Sequence, residues 1–455
     1  MSPAEHRQLI RESRPRPGDP QSDTLTRALK TFIENNPADK VNAALPRIIK
    51  AIRRQTSVQD AFNLLQRLEV ACGWRRPTLA IYDHTLHLIG GAQKYGCTMA
   101  NALQDVFDVT LITNQPVSQS QLRDWYRLDL SGCRITTIPI PFYEKKNKEH
   151  LDPAQVTSRR MENPFHLISR ESGLYDFFVN NSMVEMVLPL ANVASFVCHF
   201  PERRPSSYFY VDRYPHLIFN SRYTAAWIEK KWQLQPGIHI YPPVDMDGGL
   251  RPSAKKNLIL SAARFDPGGN KQQLRMVQFF LELRQRWPRQ LAGWKLVLAG
   301  GSPRENEYLQ EIRRLVSENR LKNIELKVNL PAADLQRLYR QAKIFWHLCG
   351  LNQVQPELVE HFGMTTVEAM QNGCVPITFA GGGQTEIITH DVSGLLFESK
   401  SQLLEQTLKL IAAPRRLQAL AARAYRRGRE FGRPVFTARV RQVFSGLLDD
   451  YRLVS

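Results

Sequence analysis

Apolar residues return at intervals of three and four between Thr24 and Ala71, in LTRALKTFIENN, VNAALPRIIKAIRRQ and VQDAFNLLQRLEVACG. That spacing predicts helices, with Gly73 as the stop. At Pro77 the texture changes. TLAIYDH is a short apolar run, followed by the glycine turn LIGGAQKYG, a helical stretch around Ala92–Gln104 and a second run, DVTLIT. Strand, loop, helix and strand in that order form one unit of a parallel sheet. Further strand candidates are CRITTIPI, YDFFVNN, ASFVCHF, HLIFNS and HIYPPV, with RYTAAWIEKKW as a helix between two of them. A second series follows the Pro/Gly-rich YPPVDMDGG: NLILSAARF, KLVLAGG, IELKVNL, AKIFWHL, CVPITFA and GLLF, again alternating with helical patterns.

Two such series predict an α/β chain of two Rossmann-like, doubly wound domains facing a cleft, behind an N-terminal helical extension. The expected organisation is a flexible leader over 1–20 and a helical extension over 21–76. An N-terminal Rossmann-like domain then covers 77–245 and a C-terminal one 246–435. Residues 436–455 form a last helix that can pack back on the N-terminal domain. In open parallel sheets, ligands collect beyond the carboxyl ends of strands, so the residues just after each run are the ones to inspect.

Composition changes this picture little, and charge changes it more. At 455 residues, 43% hydrophobic and 23% charged, the chain fits a globular protein of two domains with additions. No stretch reaches the roughly 18 consecutive apolar residues of a membrane span. The polar start MSPAEHRQLIRESRPRPGDP matches neither a secretory signal nor a transit peptide, which predicts a cytoplasmic protein. Six cysteines, none in a CxxC pair, offer neither a zinc site nor a disulfide framework. The formal charge of +18 favours anionic partners. Much of it lies in Arg47–Gln55 and Arg415–Arg433, as solvated helix faces or as a surface for anionic lipid at the inner membrane face. Nucleic acid is not expected, for want of a recognised module or aromatics interleaved with the basic residues.

Four constellations can carry chemistry. In Glu360-His-Phe-Gly-Met-Thr-Thr-Val-Glu368, Thr365 and Glu368 fit a capping box, with Asn372-Gly373 closing the helix. The same helix start offers the backbone N–H groups of Gly363, Met364 and Thr365 to a diphosphate. Glu360 would then sit beside whatever that phosphate carries, and Glu368 could accept from ribose hydroxyls. Arg264 and Lys271 leave one strand end and can converge on the same diphosphate, or can be solvated cations in a basic chain. Gly90 and Gly91 let the backbone approach a ligand, though the motif is neither GxGxxG nor a P-loop. His199, at the end of VASFVCH, is a catalyst or a hydrogen-bonded core histidine. Asp245-Met-Asp247 imitates a metal-binding DxD but reads as turn chemistry after Pro242-Pro243, so no metal site is expected.

Together these pieces resemble the retaining glycosyltransferases of family 4, the glycosyl transferases group 1 of GT-B fold. The resemblance runs from about Thr78 to Phe436, through EHFGMTTVEAMQNGCVPI, AGGGQTE ending at Glu386, GLLF, Arg264 with Lys271, the glycine pair and the HFP at His199. It implies that Arg264, Lys271 and the N–H groups from Phe362 to Thr365 hold the donor diphosphate. Glu360 would contact the transferred sugar, Glu368 the ribose, and His199 the sugar or the reacting region. It further implies metal-independent transfer with retention and no cofactor. The partners would be a nucleotide sugar of UDP or GDP type and a glycan or lipid-linked acceptor. The loop Phe265-Asp-Pro-Gly-Gly-Asn is longer than the family's usual spacing, which puts the reach of Lys271 in question. The other class of reading is a non-catalytic GT-B-like module that binds a nucleotide or a membrane surface.

Overall fold

The structure, a computed structural model, describes residues 66–140 and 163–452, apart from 68, 72, 74, 202–207, 245–248, 251, 303–304 and 320–321. The expected leader, most of the helical extension, the basic run at 47–55 and the DxD-like Asp245 and Asp247 lie outside the described residues. These residues fall into two compact units, one drawn from the chain up to Phe219 with Glu229–Ile240 and Thr437–Ser455, the other from Asn220–Ile228 and Tyr241–Phe436.

The first unit holds β1 (Thr78–Tyr82), α1 (Gly91–Leu103), β2 (Asp108–Thr113), α2 (Gln119–Tyr126) and β3 (Cys133–Thr137). It continues with α3 (His166–Ser172), β4 (Phe177–Asn180), β5 (Val193–Cys198) and β6 (His216–Phe219). The helix α4 (Arg222–Trp232), which counts with the second unit through Ile228 and with the first from Glu229, precedes β7 (Ile238–His239). Its seven strands run in the order β3-β2-β1-β4-β5-β6-β7, and every pairing is parallel. The strands read as unbroken apolar runs because helices cover both faces of such a sheet. Leu79, Ile81, Phe178, Val179, Phe196 and Val197 are all fully buried.

The second unit contains β8 (Lys256–Ala262), α5 (Gln273–Arg286), β9 (Lys295–Gly300), α6 (Glu307–Glu318) and β10 (Ile324–Val328). Then come α7 (Ala332–Gln341), β11 (Ala342–His347), α8 (Met364–Gln371), β12 (Val375–Phe379), the single turn α9 (Gln384–Ile387) and β13 (Leu395–Phe397). The last helices are α10 (Lys400–Ala412) and α11 (Pro414–Arg429); α12 (Arg433–Arg452) follows and counts with the first unit from Thr437 onwards. Six parallel strands run β10-β9-β8-β11-β12-β13. The order reverses between β8 and β11, as it does between β1 and β4 in the first unit. At such a point the loops after the two central strands leave in opposite directions and open a crevice. Both sheets therefore have the doubly wound topology expected from the sequence.

Polar ties fix each unit. Asp176, fully buried ahead of β4, accepts both terminal nitrogens of Arg75 at 2.5 and 2.8 Å, the Thr78 N–H at 2.8 Å and the Tyr451 hydroxyl of α12 at 2.7 Å. Burial pushes its carboxyl up, but the Arg75 guanidinium and the other donors outweigh that and hold it below its ordinary value. In the second unit the Lys255 ammonium donates to the carbonyls of Tyr339, Ala342 and Asn372, which the ends of α7 and α8 leave over.

Candidate functional site

The second unit brings together two of the expected residues. Lys271 Nζ donates to Glu360 Oε2 at 2.8 Å, and the two side chains keep only 23% and 19% of their surface exposed. The long loop that put the reach of Lys271 in question folds back on itself. Gly269 N–H bonds Asp266 O at 2.8 Å and Gln272 N–H bonds Gly269 O at 2.9 Å, two turns in succession. The Gln273 side chain then ties back to Arg264 O at 2.9 Å, so Lys271 points at Glu360 at the β8/β11 crossover. Arg264 stands apart from this pair. Its side chain is 75% exposed, with Asp266 at 3.5 Å.

Glu360 has a second partner that the sequence reading missed. His347, the last residue of β11 and 3% exposed, places Nε2 at 3.0 Å from the same oxygen, Oε2. A carboxylate only accepts, so this ring nitrogen carries the proton. Burial pushes the Glu360 carboxyl up, yet Lys271 and His347 more than offset it and hold the group well below the usual carboxylate range. Burial likewise pulls the Lys271 ammonium down, and the Glu360 charge outweighs it, leaving Lys271 above its ordinary value. Cys349, two residues past His347, is buried with Sγ 3.8 Å from Lys271 Nζ, and burial pushes its thiol up to about 12. It is no thiolate at neutral pH and offers no nucleophile. A hint of His347 was present in the sequence: a polar residue closes the apolar run AKIFWH, as His199 closes VASFVCH.

The loop between Glu360 and α8 is clamped from below. Gly363, the N-cap of α8, has φ +117°, a conformation that favours glycine, and a Cβ there would lie 2.4 Å from the Gln384 amide nitrogen. Gly382, at φ +61°, approaches so closely that a Cβ would lie 2.0 Å from the Glu360 carbonyl, and Gly383 N–H donates to that carbonyl at 2.9 Å. This is the physical content of the AGGG run. Phe362, 3% exposed, seats the loop against Tyr241 and Phe431 at ring separations of 5.4 and 5.7 Å. Burying such a ring contributes about 2–3 kcal/mol. The Gln384 side chain is fully buried, and neither of its amide atoms has a hydrogen-bond partner among the described residues.

One expectation is corrected here. Thr365 and Glu368 do not form a capping box: α8 starts at Met364 after Gly363, without a side-chain cap. The left-handed glycine starts the helix by itself, with Thr366 N–H and Val367 N–H both bonding Gly363 O at 3.0 and 3.2 Å. Glu368 instead accepts the Tyr339 hydroxyl of α7 at 2.9 Å. The first N–H groups of Gly363, Met364 and Thr365 therefore have no partner within the helix and face whatever occupies its positive end. Asn372 and Gly373 close α8 as expected, with Gly373 at φ +69°.

Glu386 proves structural. It accepts the N–H groups of Arg222 and Tyr223, both at 2.9 Å, at the start of α4, and the Tyr241 hydroxyl at 3.0 Å. With Arg427, Tyr223 and Gly382 it lines an open cavity of about 480 Å³.

The remaining candidates belong to the first unit. Gly90 is the N-cap of α1 with extended backbone, and Gly91 begins that helix. The position a Gly90 Cβ would take lies 2.3 Å from Gln93 Oε1. His199 directly follows β5; its N–H lies 3.1 Å from Met183 Sδ and its ring meets Tyr95 edge-on at 5.5 Å. Among the described residues no group of three or more His, Cys, Asp or Glu is placed to hold a metal ion.

With this geometry established, residues 247–427 match the family described as glycosyl transferases group 1. The GDP-Man:Man(3)GlcNAc(2)-PP-Dol alpha-1,2-mannosyltransferase of Dictyostelium discoideum is 29% identical over 210 residues, 43% of this chain and 40% of that protein. The alpha-1,3/1,6-mannosyltransferase ALG2 of Rhizomucor pusillus is 28% identical over 256 residues, 45% of this chain and 55% of that one. The matches thus span about half the length of these relatives. Among solved structures, HepE of Anabaena, in complex with UDP and glucose, superposes with a TM-score of 0.60 over 82% of this chain and 100% of that chain, at 14% identity. At that identity the likeness shows the fold alone, the GT-B class with two Rossmann-like units.

Proposed function

We propose, from the match of residues 247–427 to the glycosyl transferases group 1, that the chain transfers a hexose from a nucleoside-diphosphate sugar to a glycan or lipid-linked acceptor, without metal and with retention at the anomeric carbon. GDP-mannose is the foremost donor on this reading, because the Dictyostelium relative is named for it. The observation that carries the reading is the Lys271–Glu360 pair three residues ahead of the uncapped amino end of α8. The diphosphate takes Lys271 and the N–H groups of Gly363 to Thr365, with Arg264 folding in from solvent. Positive charge and helix dipole then stabilise the negative charge that develops on the leaving phosphate. Glu360, held ionised, accepts from hydroxyls of the sugar. Glu368, steered by Tyr339, accepts from the ribose.

The step breaks the bond between the anomeric carbon and the phosphate oxygen and forms one from that carbon to the acceptor oxygen on the same face. The acceptor's proton passes to the leaving phosphate, so no enzymic nucleophile is required. His199, Gly90 and Gly91 serve the acceptor side. No described helix is long and apolar enough to cross a membrane. The exposed Arg415, Arg426 and Arg429 of α11 suit a peripheral contact with anionic lipid at the cytoplasmic face.

The test is transfer of radiolabelled mannose from GDP-mannose to a lipid-linked oligosaccharide, in EDTA, by wild type and by Glu360→Ala. Product from the wild type that keeps the α configuration of the donor, with a loss of about a hundredfold or more in the variant, supports the proposal. Nucleotide binding with no transfer to any acceptor would favour the non-catalytic module.

A further inference from the structure

We propose that His347 is a positioning residue that determines which oxygen of Glu360 meets the transferred sugar. The proposal rests on the donor-site reading above and deepens it. Both donors to the carboxylate, Lys271 Nζ at 2.8 Å and His347 Nε2 at 3.0 Å, converge on Oε2. Among the described residues none hydrogen-bonds Oε1, which leaves that oxygen as the acceptor for sugar hydroxyls.

The two donors differ in what they can do when a diphosphate arrives. Lys271 sits on a flexible four-carbon stem and can turn its ammonium towards the phosphates. His347 cannot follow. Its backbone is the last rung of β11, in register with Thr378 of β12, and its ring is buried beside Phe345 at 6.4 Å. Once Lys271 engages phosphate, His347 alone keeps Oε2 in place and Oε1 turned towards the sugar. Without it the carboxylate can rotate about its last torsion, a broad and nearly two-fold one. Hydroxyls that point differently on the pyranose would then be accepted nearly alike. His347 thereby acts on sugar discrimination and on the transfer step, and not on the affinity for the nucleotide.

The experiment compares His347→Leu, His347→Asn and His347→Gln with wild type and Glu360→Ala. Each is measured for GDP affinity, for kcat and KM with GDP-mannose, and for the preference for GDP-mannose over a GDP-hexose differing at one hydroxyl. The glutamine amide reaches about as far as Nε2, whereas the asparagine amide stops short at the Nδ1 position. The expected result for His347→Leu and His347→Asn is GDP affinity within about twofold of wild type, kcat lower by about tenfold to a hundredfold, and a preference reduced about tenfold. His347→Gln recovers most of both. If leucine prevents folding, the contrast between asparagine and glutamine decides. Wild-type kcat and preference in His347→Asn, alongside a damaged Glu360→Ala, would overturn the role of His347 while leaving the donor site standing. An undamaged Glu360→Ala would overturn both.

Discussion

Each unit places a carboxyl group at the point where its strand order reverses, Glu360 largely and Asp83 fully buried, and the two are treated in opposite ways. Glu360, in the second unit, faces an ammonium and an imidazole and is held well below the ordinary carboxylate range. Asp83, directly after β1 in the first unit, is 1% exposed and accepts only from neutral groups: Thr85 N–H at 3.0 Å, Thr85 Oγ1 at 3.1 Å, Gln93 Nε2 at 3.2 Å and Asn181 Nδ2 at 2.9 Å. Burial pushes its carboxyl up, and these donors do not cancel the effect. Equivalent topology thus gives two outcomes, decided by whether a cation is within reach. The charged site is suited to ligand chemistry. The other, without a cation, knits the glycine turn of α1 to β1 and β4.

The largest effect that would sharpen this contrast is at Lys271. Lys271→Met strands Glu360 beside His347 alone. It is expected to lower nucleotide-diphosphate affinity by about tenfold to a hundredfold and to destabilise the chain by about 3 kcal/mol, read by titration calorimetry and denaturant unfolding. Unchanged nucleotide affinity would remove Lys271 from the site. Next is Gly363→Ala. With φ at +117° and Gln384 in the way, the backbone strain alone costs about 1–3 kcal/mol, and transfer should fall with the displaced α8 start; wild-type stability would show that the clamp is slack.

The two carboxyls also separate by pH. Glu360, depressed in the folded chain, contributes stability that is complete above the ordinary carboxylate value and is lost only as pH falls through its lower folded value. Asp83, raised in the folded chain, works in reverse. The native state keeps its proton longer than the unfolded one, so stability falls as pH rises from the ordinary value through the raised one. Asp83→Asn should therefore flatten the decline in Tm as pH rises above the ordinary aspartate value, and a slope parallel to wild type would contradict the assignment. The smallest effect concerns helix starts. Ser118 truly caps α2, in a reciprocal box with Gln121, so Ser118→Ala should cost about 1 kcal/mol. Thr365→Ala should stay within about 0.5 kcal/mol; equal losses would restore the discarded capping box.

What could be seen in advance follows from which forces act locally. The strands of both sheets were visible because burial on two faces makes them apolar throughout, as in NLILSAARF and CVPITFA. The helix start at Gly363 was visible as a phosphate-binding feature but misread as a capping box, because a left-handed glycine and a hydroxyl from α7 are tertiary facts. His347, Asp83 and the clamp of Gly382 on the Glu360 carbonyl were missed for the same reason. Each depends on which strand lies beside which, and no spacing within one motif records that. The sequence put the reach of Lys271 in question and not that of Arg264, yet Arg264 is the one largely exposed and Lys271 is locked in an ion pair.

The most direct test is calorimetric titration of GDP-mannose and of GDP into wild type and Glu360→Ala, in EDTA. The account expects GDP-mannose to bind wild type more tightly than GDP, and the variant to lose that difference while keeping its GDP affinity within about threefold. A variant that still favours the sugar nucleotide as strongly as wild type would contradict the claim that Glu360 holds the sugar.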